Sequence, residues 1–228
     1  ILSLLFRGIS KRLKGMETAG ATDFTAALSE GVAAAYKAVM KPAEGTILTV
    51  SRLFAKAAGK AADKGASLED ALVAGISAGE VALADTVNQN PVLKKAGVID
   101  AGGKGFMVIL SAVLASLRGE IVSGEETERN WSESDIFTSS GVDLMESITF
   151  AFDTVYIVRK SSPDVDLEPL RMYLSSIGDS LVISDDDEIF KVHVHTDIPG
   201  EALVESQKYG TLELAKIENM RSQAEAIL

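Results

Sequence analysis

A chain of 228 residues, 46% hydrophobic and 24% charged, has room for one large domain or two small ones and is apolar enough to build a core. Its formal net charge of −11 repels phosphate backbones and anionic lipid, which argues against nucleic-acid or membrane-surface binding, and no apolar run reaches the roughly 18 residues of a membrane span. It has no cysteine, which excludes disulfides and thiolate metal sites and suits a reducing cytoplasm.

The chain opens Ile-Leu-Ser-Leu-Leu-Phe, inside an apolar helical pattern, with no Met, no N-cap and no basic lead. It therefore reads as a fragment cut within a helix of a longer protein, not as a signal peptide. Ile1, Leu2, Leu5, Ile9 and Leu13 give one helical face over 1–14, with Gly15 as its end. The period repeats over 22–40 through Phe24, Leu28, Val32, Tyr36 and Val39, and breaks at Pro42 and Gly45. Helical period resumes at 46–64, and Thr46 is placed to cap it. Ser67 with Asp70 has capping-box spacing and starts a helix to about Thr86. Pro91 is expected in a loop, and Gly102-Gly103-Lys104-Gly105 is expected to precede a last apolar helix at 106–117. Helices this rich in Ala and Gly predict a close-packed bundle or barrel.

Residues 119–147 are polar and acidic, with some short structure expected near Trp131, and read as a linker between a helical part, 1–118, and an α+β part, 148–228. Beyond it the period changes. Strands are expected at 148–158, 180–184, 189–196 and 212–218, with helices at 166–176, from Pro199 to about 208, and at the end. Pro199 sits at a helix N1 position. The order β-α-β-β-α-β is the split ferredoxin-like unit, whose usual strand order, 4-1-3-2, puts the first and third strands at the centre. The fold class expected is thus all-helical followed by ferredoxin-like α+β.

In Lys191-Val192-His193-Val194-His195-Thr196 side chains alternate, so His193 and His195 share a face and Val192 and Val194 take the other, against the helices. These are the only histidines of the chain. Two imidazoles at this spacing can chelate one metal ion, or they can be idle polar residues on an open sheet face. The neighbouring first strand offers Asp153 or Thr154 to the same space, and a carboxylate in an apolar run needs a partner such as a metal or a histidine. Asp185–Asp187 reads as a solvated hairpin turn. Glycines before a helix N-terminus, as in Asp100-Ala101-Gly102-Gly103, suit phosphate or serve a tight turn. There is no Walker A pattern and no G-x-G-x-x-G after a strand.

Residues 39–50 (Val-Met-Lys-Pro-Ala-Glu-Gly-Thr-Ile-Leu-Thr-Val) and 91–105 (Pro-Val-Leu-Lys-Lys-Ala-Gly-Val-Ile-Asp-Ala-Gly-Gly-Lys-Gly) resemble the dihydroxyacetone-kinase-like (DAK2) nucleotide-binding domain. The version is that of the ATP-binding subunit of bacterial fatty acid kinase. Gly178-Asp179-Ser180-Leu181-Val182, the two-histidine strand and Ile217-Glu218-Asn219-Met220 resemble that family's middle domain. The resemblance implies an antiparallel helical barrel holding ATP and Mg2+, a separate fatty-acid-binding protein presenting the acyl carboxylate, an acyl phosphate product, a homodimer and a cytoplasmic location. By position it implies nucleotide contacts at Thr46, Ile47, Leu48, Asp100, Ala101 and Gly102. It implies a zinc ion held by His193, His195 and a third ligand whose place, a cysteine in the family, is taken by Asp153. Thr154 matches the threonine that follows, and His193, His195 and Thr154 are the catalytic candidates. The family's magnesium-binding aspartate loop falls before Ile1, so this fragment alone is expected to be inactive. Two other readings fit the residues: a scaffold, dimerisation or ligand-sensing module without catalysis, and a dihydroxyacetone-type kinase.

Overall fold

A computed structural model describes residues 1–120 and 148–225. The expected linker and Trp131 lie outside the described residues, apart from Gly119 and Glu120. Contacts divide the chain into a helical unit, 1–37 with 42–128, and an α+β unit, 38–41 with 129–228.

The helical unit comprises α1 (Leu2–Leu13), α2 (Ala21–Ala38), α3 (Ile47–Ala62), α4 (Leu68–Gln89), α5 (Pro91–Ala96) and α6 (Ala101–Leu117). On α3, Ser51, Phe54, Ala55, Ala58 and Ala62 recur at helical spacing and are all buried, which packs that face against α4 and α6. Phe54 meets Phe106 edge to face, with ring centroids 5.8 Å apart. Gly75, on α4, leaves room for the Phe54 ring, which a Cβ there would meet at 2.7 Å. Each large side chain buried this fully contributes roughly 1.5–3 kcal/mol.

Caps explain two departures from the expected elements. Pro91 starts a helix where a loop was expected: Asn90 Oδ1 accepts from Val92 N at 3.0 Å, the proline takes N1, and Gly97 closes the turn at φ 68°. The last helix begins at Ala101, five residues earlier than expected. Asp100 is its N-cap, accepting from Gly103 N at 2.6 Å, so Gly102, Gly103 and Gly105 lie inside the first turns. Ser67 caps α4 through Asp70 N as its spacing predicts.

The α+β unit runs β1 (Phe152–Lys160), α7 (Glu168–Ile177), β2 (Gly178–Asp185), β3 (Ile189–Thr196), α8 (Pro199–Ser206), a 3₁₀ turn (Gln207–Tyr209), β4 (Gly210–Asn219) and α9 (Met220–Glu225). The sheet is antiparallel in the order β2-β3-β1-β4, with the first and third strands central, as expected. One side of it is the core: Tyr156, Val158, Leu181, Ile183, Phe190, Val192 and Val194 pack with Leu170 and Leu174 of α7 and Ala202 of α8. The phenol of Tyr156 is satisfied inside this core by Ser206 Oγ at 2.8 Å. At the β2 edge, Val39 forms an isolated antiparallel bridge with Val182.

Candidate functional site

The core uses the even-numbered residues of β1 and β3, so the odd-numbered ones face the other way. Register sets their neighbours. Asp153 is opposite His195, Val155 opposite His193, and on the outer strands Asp179 is opposite His195 and Glu218 opposite Asp153. Directly opposed residues share a face. One row across the four strands therefore reads Glu218, Asp153, His195, Asp179.

His193 reaches diagonally from the next row, with Nδ1 3.3 Å from Asp153 Oδ1. The two imidazoles stand 5.0 Å apart, centroid to centroid, at 64°. Ligand atoms of Asp153, His193 and His195 all lie within 4.8 Å of one another, so the strand spacing does bring these three together. His195 Nδ1 also lies 3.4 Å from Asp179 Oδ1. Asp153 Oδ1 is shielded from water and accepts no hydrogen bond from any described residue; His193 touches it at ion-pair distance without hydrogen-bond alignment. Burial pulls the pKa of His193 below the usual histidine value. Asp153 opposes that shift, while His195 and Lys191 add to it. Burial thus favours the neutral imidazole at His193, the form that ligates metals.

Thr154 is not part of this cluster. It pairs with Val194 and is fully buried on the helix-covered side. Adjacent residues of a strand point to opposite faces, so only one of Asp153 and Thr154 can join the histidines, and it is Asp153.

The second candidate region lies at two helix N-termini of the helical unit. Thr46 caps α3, accepting from Leu48 N at 3.3 Å and donating to Ala43 O at 2.8 Å. Asp100 caps α6, and its own N–H donates to Thr86 Oγ1, buried in α4, at 3.1 Å. These two ends meet: a Cβ on Gly102 would stand 3.5 Å from Ile47 Cβ, and one on Gly103 3.0 Å from Val50 Cγ2. Thr46, Ile47, Asp100, Ala101 and Gly102 retain exposure, whereas the Leu48 side chain is buried in the core. Two N-termini side by side, one with small residues, suit a phosphate-bearing ligand.

Beside them stands a polar cluster that sequence reading missed. Glu44 accepts from Thr49 at 2.7 Å, Arg52 at 2.6 Å and Tyr36 at 3.1 Å, and Arg52 Nε donates to Tyr36 at 2.9 Å. Partial burial pushes the Glu44 carboxyl up. The hydrogen bonds from Thr49, Arg52 and Tyr36, with the Arg52 charge, outweigh this and leave it below the usual range. Eight residues separate Glu44 from both Tyr36 and Arg52, across a turn, so no periodic pattern marks the set.

A helical domain followed by a split βαβ sheet, with a histidine pair on the face opposite its helices, is the arrangement the DAK2 kinase-related resemblance predicts. Residues 1–115 match the DAK2 domain, and residues 149–227 match the middle domain of the FakA-like fatty acid kinase proteins. The chain belongs to this FakA-like, DAK2-domain family. It is 41% identical over 234 residues to protein YloV of Bacillus subtilis, covering 100% of this chain and 42% of YloV. It is 41% identical over 227 residues to the uncharacterized protein SSP1546 of Staphylococcus saprophyticus, covering 98% and 41% respectively. The uncharacterized protein SERP0792 of Staphylococcus epidermidis is 40% identical over 232 residues, covering 100% and 42%. The chain thus spans about two fifths of the length of these curated relatives. Among the described residues, no helix is long and apolar enough to cross a membrane.

The donor set fits the zinc ion that the resemblance implies. Two imidazoles and a carboxylate are established zinc donors, and Asp153 Oδ1 is shielded from water, lacks a hydrogen bond and lies among the ring nitrogens.

Proposed function

We propose that this chain is part of the ATP-dependent subunit of a fatty acid kinase. The whole protein, as a cytoplasmic homodimer, transfers a phosphoryl group from Mg-ATP to the carboxylate of an acyl chain presented by a separate fatty-acid-binding protein. The observation that carries this reading is the meeting of the α3 and α6 N-termini at Ile47 and Gly102, in a chain of this family.

In this reading Thr46, Ile47 and the Leu48 backbone flank one side of the nucleotide, and Asp100, Ala101 and Gly102 the other. Asp100 holds the first turn of α6 and keeps its amides aimed outward. Ile47 supplies an apolar wall, and Gly102 keeps the approach open. A carboxylate is already ionised at neutral pH, so no side chain has to act as general base. An acyl oxygen bonds to the γ-phosphorus, the bond to the β-bridging oxygen breaks, and ADP leaves. The protein's task is then positioning and charge neutralisation. His193, His195 and Asp153 would hold a divalent cation, zinc in the first instance. When bound, that ion would supply a positive charge that ties β1 to β3. Thr154 supports β1 from the core side.

The test uses the intact protein with a fatty-acid-binding partner and traps acyl phosphate as its hydroxamate. Gly102→Val fills the space beside Ile47 and should weaken ATP binding at least about tenfold, by displacing a closely approaching phosphate group. Formation of no acyl phosphate from any fatty acid, or an unchanged ATP Kd in Gly102→Val, would overturn the reading.

A further inference from the structure

The Gly178-Asp179-Ser180 segment carries more local cost than a plain strand start needs. A Cβ on Gly178 would collide with the carbonyl oxygen of His195, so only glycine lets β2 approach β3 there. Two residues later, Ser180 sits in the left-handed region at φ 54°, where non-glycine residues are rare. It belongs to a bulge: Asp179 is opposite His195 but Val182 is opposite His193, so β2 spends one extra residue between them. Such bulges re-aim side chains. Without the extra residue, the register from Val182 would put Ser180 opposite His195 and turn Asp179 to the other face of β2. With it, Asp179 Oδ1 stands 3.4 Å from His195 Nδ1, at ion-pair distance without hydrogen-bond alignment, on the side of the ring away from Asp153 in the cross-strand row.

We propose that Asp179 is a positioning residue for the Asp153–His193–His195 centre: its carboxylate keeps the proton of His195 on Nδ1 and thereby leaves Nε2 as the bare donor nitrogen. A ligating histidine generally gives its other N–H to a carboxylate or carbonyl, which fixes tautomer and ring orientation. Here the glycine approach and the Ser180 bulge seat that carboxylate from an outer strand. The inference rests on reading the three residues as a metal centre, but its first readout needs no metal.

With two histidines in the chain, long-range 1H–15N correlation spectra of 15N-histidine-labelled, metal-free protein at pH 8 resolve each ring's tautomer. The expected result is Nδ1–H at His195 in the wild type and a shift toward Nε2–H in Asp179→Ala. Asp179→Asn, which keeps an acceptor oxygen, should retain Nδ1–H. Zn2+ affinity, measured by competition with a chromophoric chelator, should fall about 10–100-fold in Asp179→Ala and less in Asp179→Asn. Nε2–H at His195 in the wild type overturns the proposal whether or not any variant folds. So does an unchanged tautomer in a natively folded Asp179→Ala. If the wild type shows no zinc affinity while the tautomers respond as stated, the metal reading falls and the positioning role stands.

Discussion

Replacing Asp153 with leucine should move the stability of the α+β unit in opposite directions with and without zinc. In the metal-free chain Asp153 Oδ1 is shielded and takes no hydrogen bond, a situation that costs about 1–3 kcal/mol. The side chain is 28% exposed and touches His193 at 3.3 Å, which places the cost at the low end, about 1 kcal/mol. Leucine has similar bulk, sits beside Val155 and Ile157 on the same face, and leaves no polar atom behind. Asp153→Leu should therefore stabilise the metal-free protein by about 1 kcal/mol, or about 4–8 °C in Tm for a unit this size. With zinc at about 100 times the wild-type Kd, the wild type gains about 2.7 kcal/mol and the variant gains almost nothing, so the ranking inverts. Thermal melts followed by circular dichroism at pH 8, with chelator and with zinc, read both halves. A variant that is clearly less stable without zinc, or that shares the wild-type zinc shift, refutes the reasoning.

Glu44 links stability of the helical unit to acid. Its pKa is lowered on folding, so its contribution is complete above the unfolded value of 4.5 and is lost as pH falls through the folded one. With the Glu44 side chain half exposed, the gain is held below about 1 kcal/mol. Urea denaturation of wild type and Glu44→Gln should differ at pH 7 and converge near pH 3; a gap that is flat or widens in acid contradicts the assignment. Tyr156→Phe leaves Ser206 without its 2.8 Å partner and should cost about 1–2 kcal/mol in urea melts. Burial raises the Tyr156 phenol far above the usual tyrosine range, so one tyrosine of the four should fail to titrate in an alkaline absorbance scan until the protein unfolds. Ionisation of all four in the folded protein would count against that burial.

Much of the site was legible because a strand's period of two leaves little freedom. Once 189–196 is a strand, the two histidines must share a face and the valines must oppose them. The split βαβ order then brings β1 alongside. Parity alone decides between Asp153 and Thr154, but it needs the register, which depends on where β1 pairs. Asp179 stayed hidden for a sharper reason: the extra residue at Ser180 breaks the count along β2, so no regular pattern aligns it with His195. Pro91 and the glycines after Asp100 misled because both residue types disfavour helix interiors while being tolerated in first turns behind an Asx cap.

The position of the histidine–aspartate cluster also bears on how the sheet opens. Asp153 lies on β1 and His193 on β3, strands adjacent in space but separated by about 40 residues of chain. An ion held between them would act as a reversible staple across that span, and loop-closure entropy is what such a staple removes from the unfolded ensemble. Amide exchange should report it: protection of the central strand pair would rise on loading, while fraying of β4, which contributes none of these three donors, would be left largely unchanged.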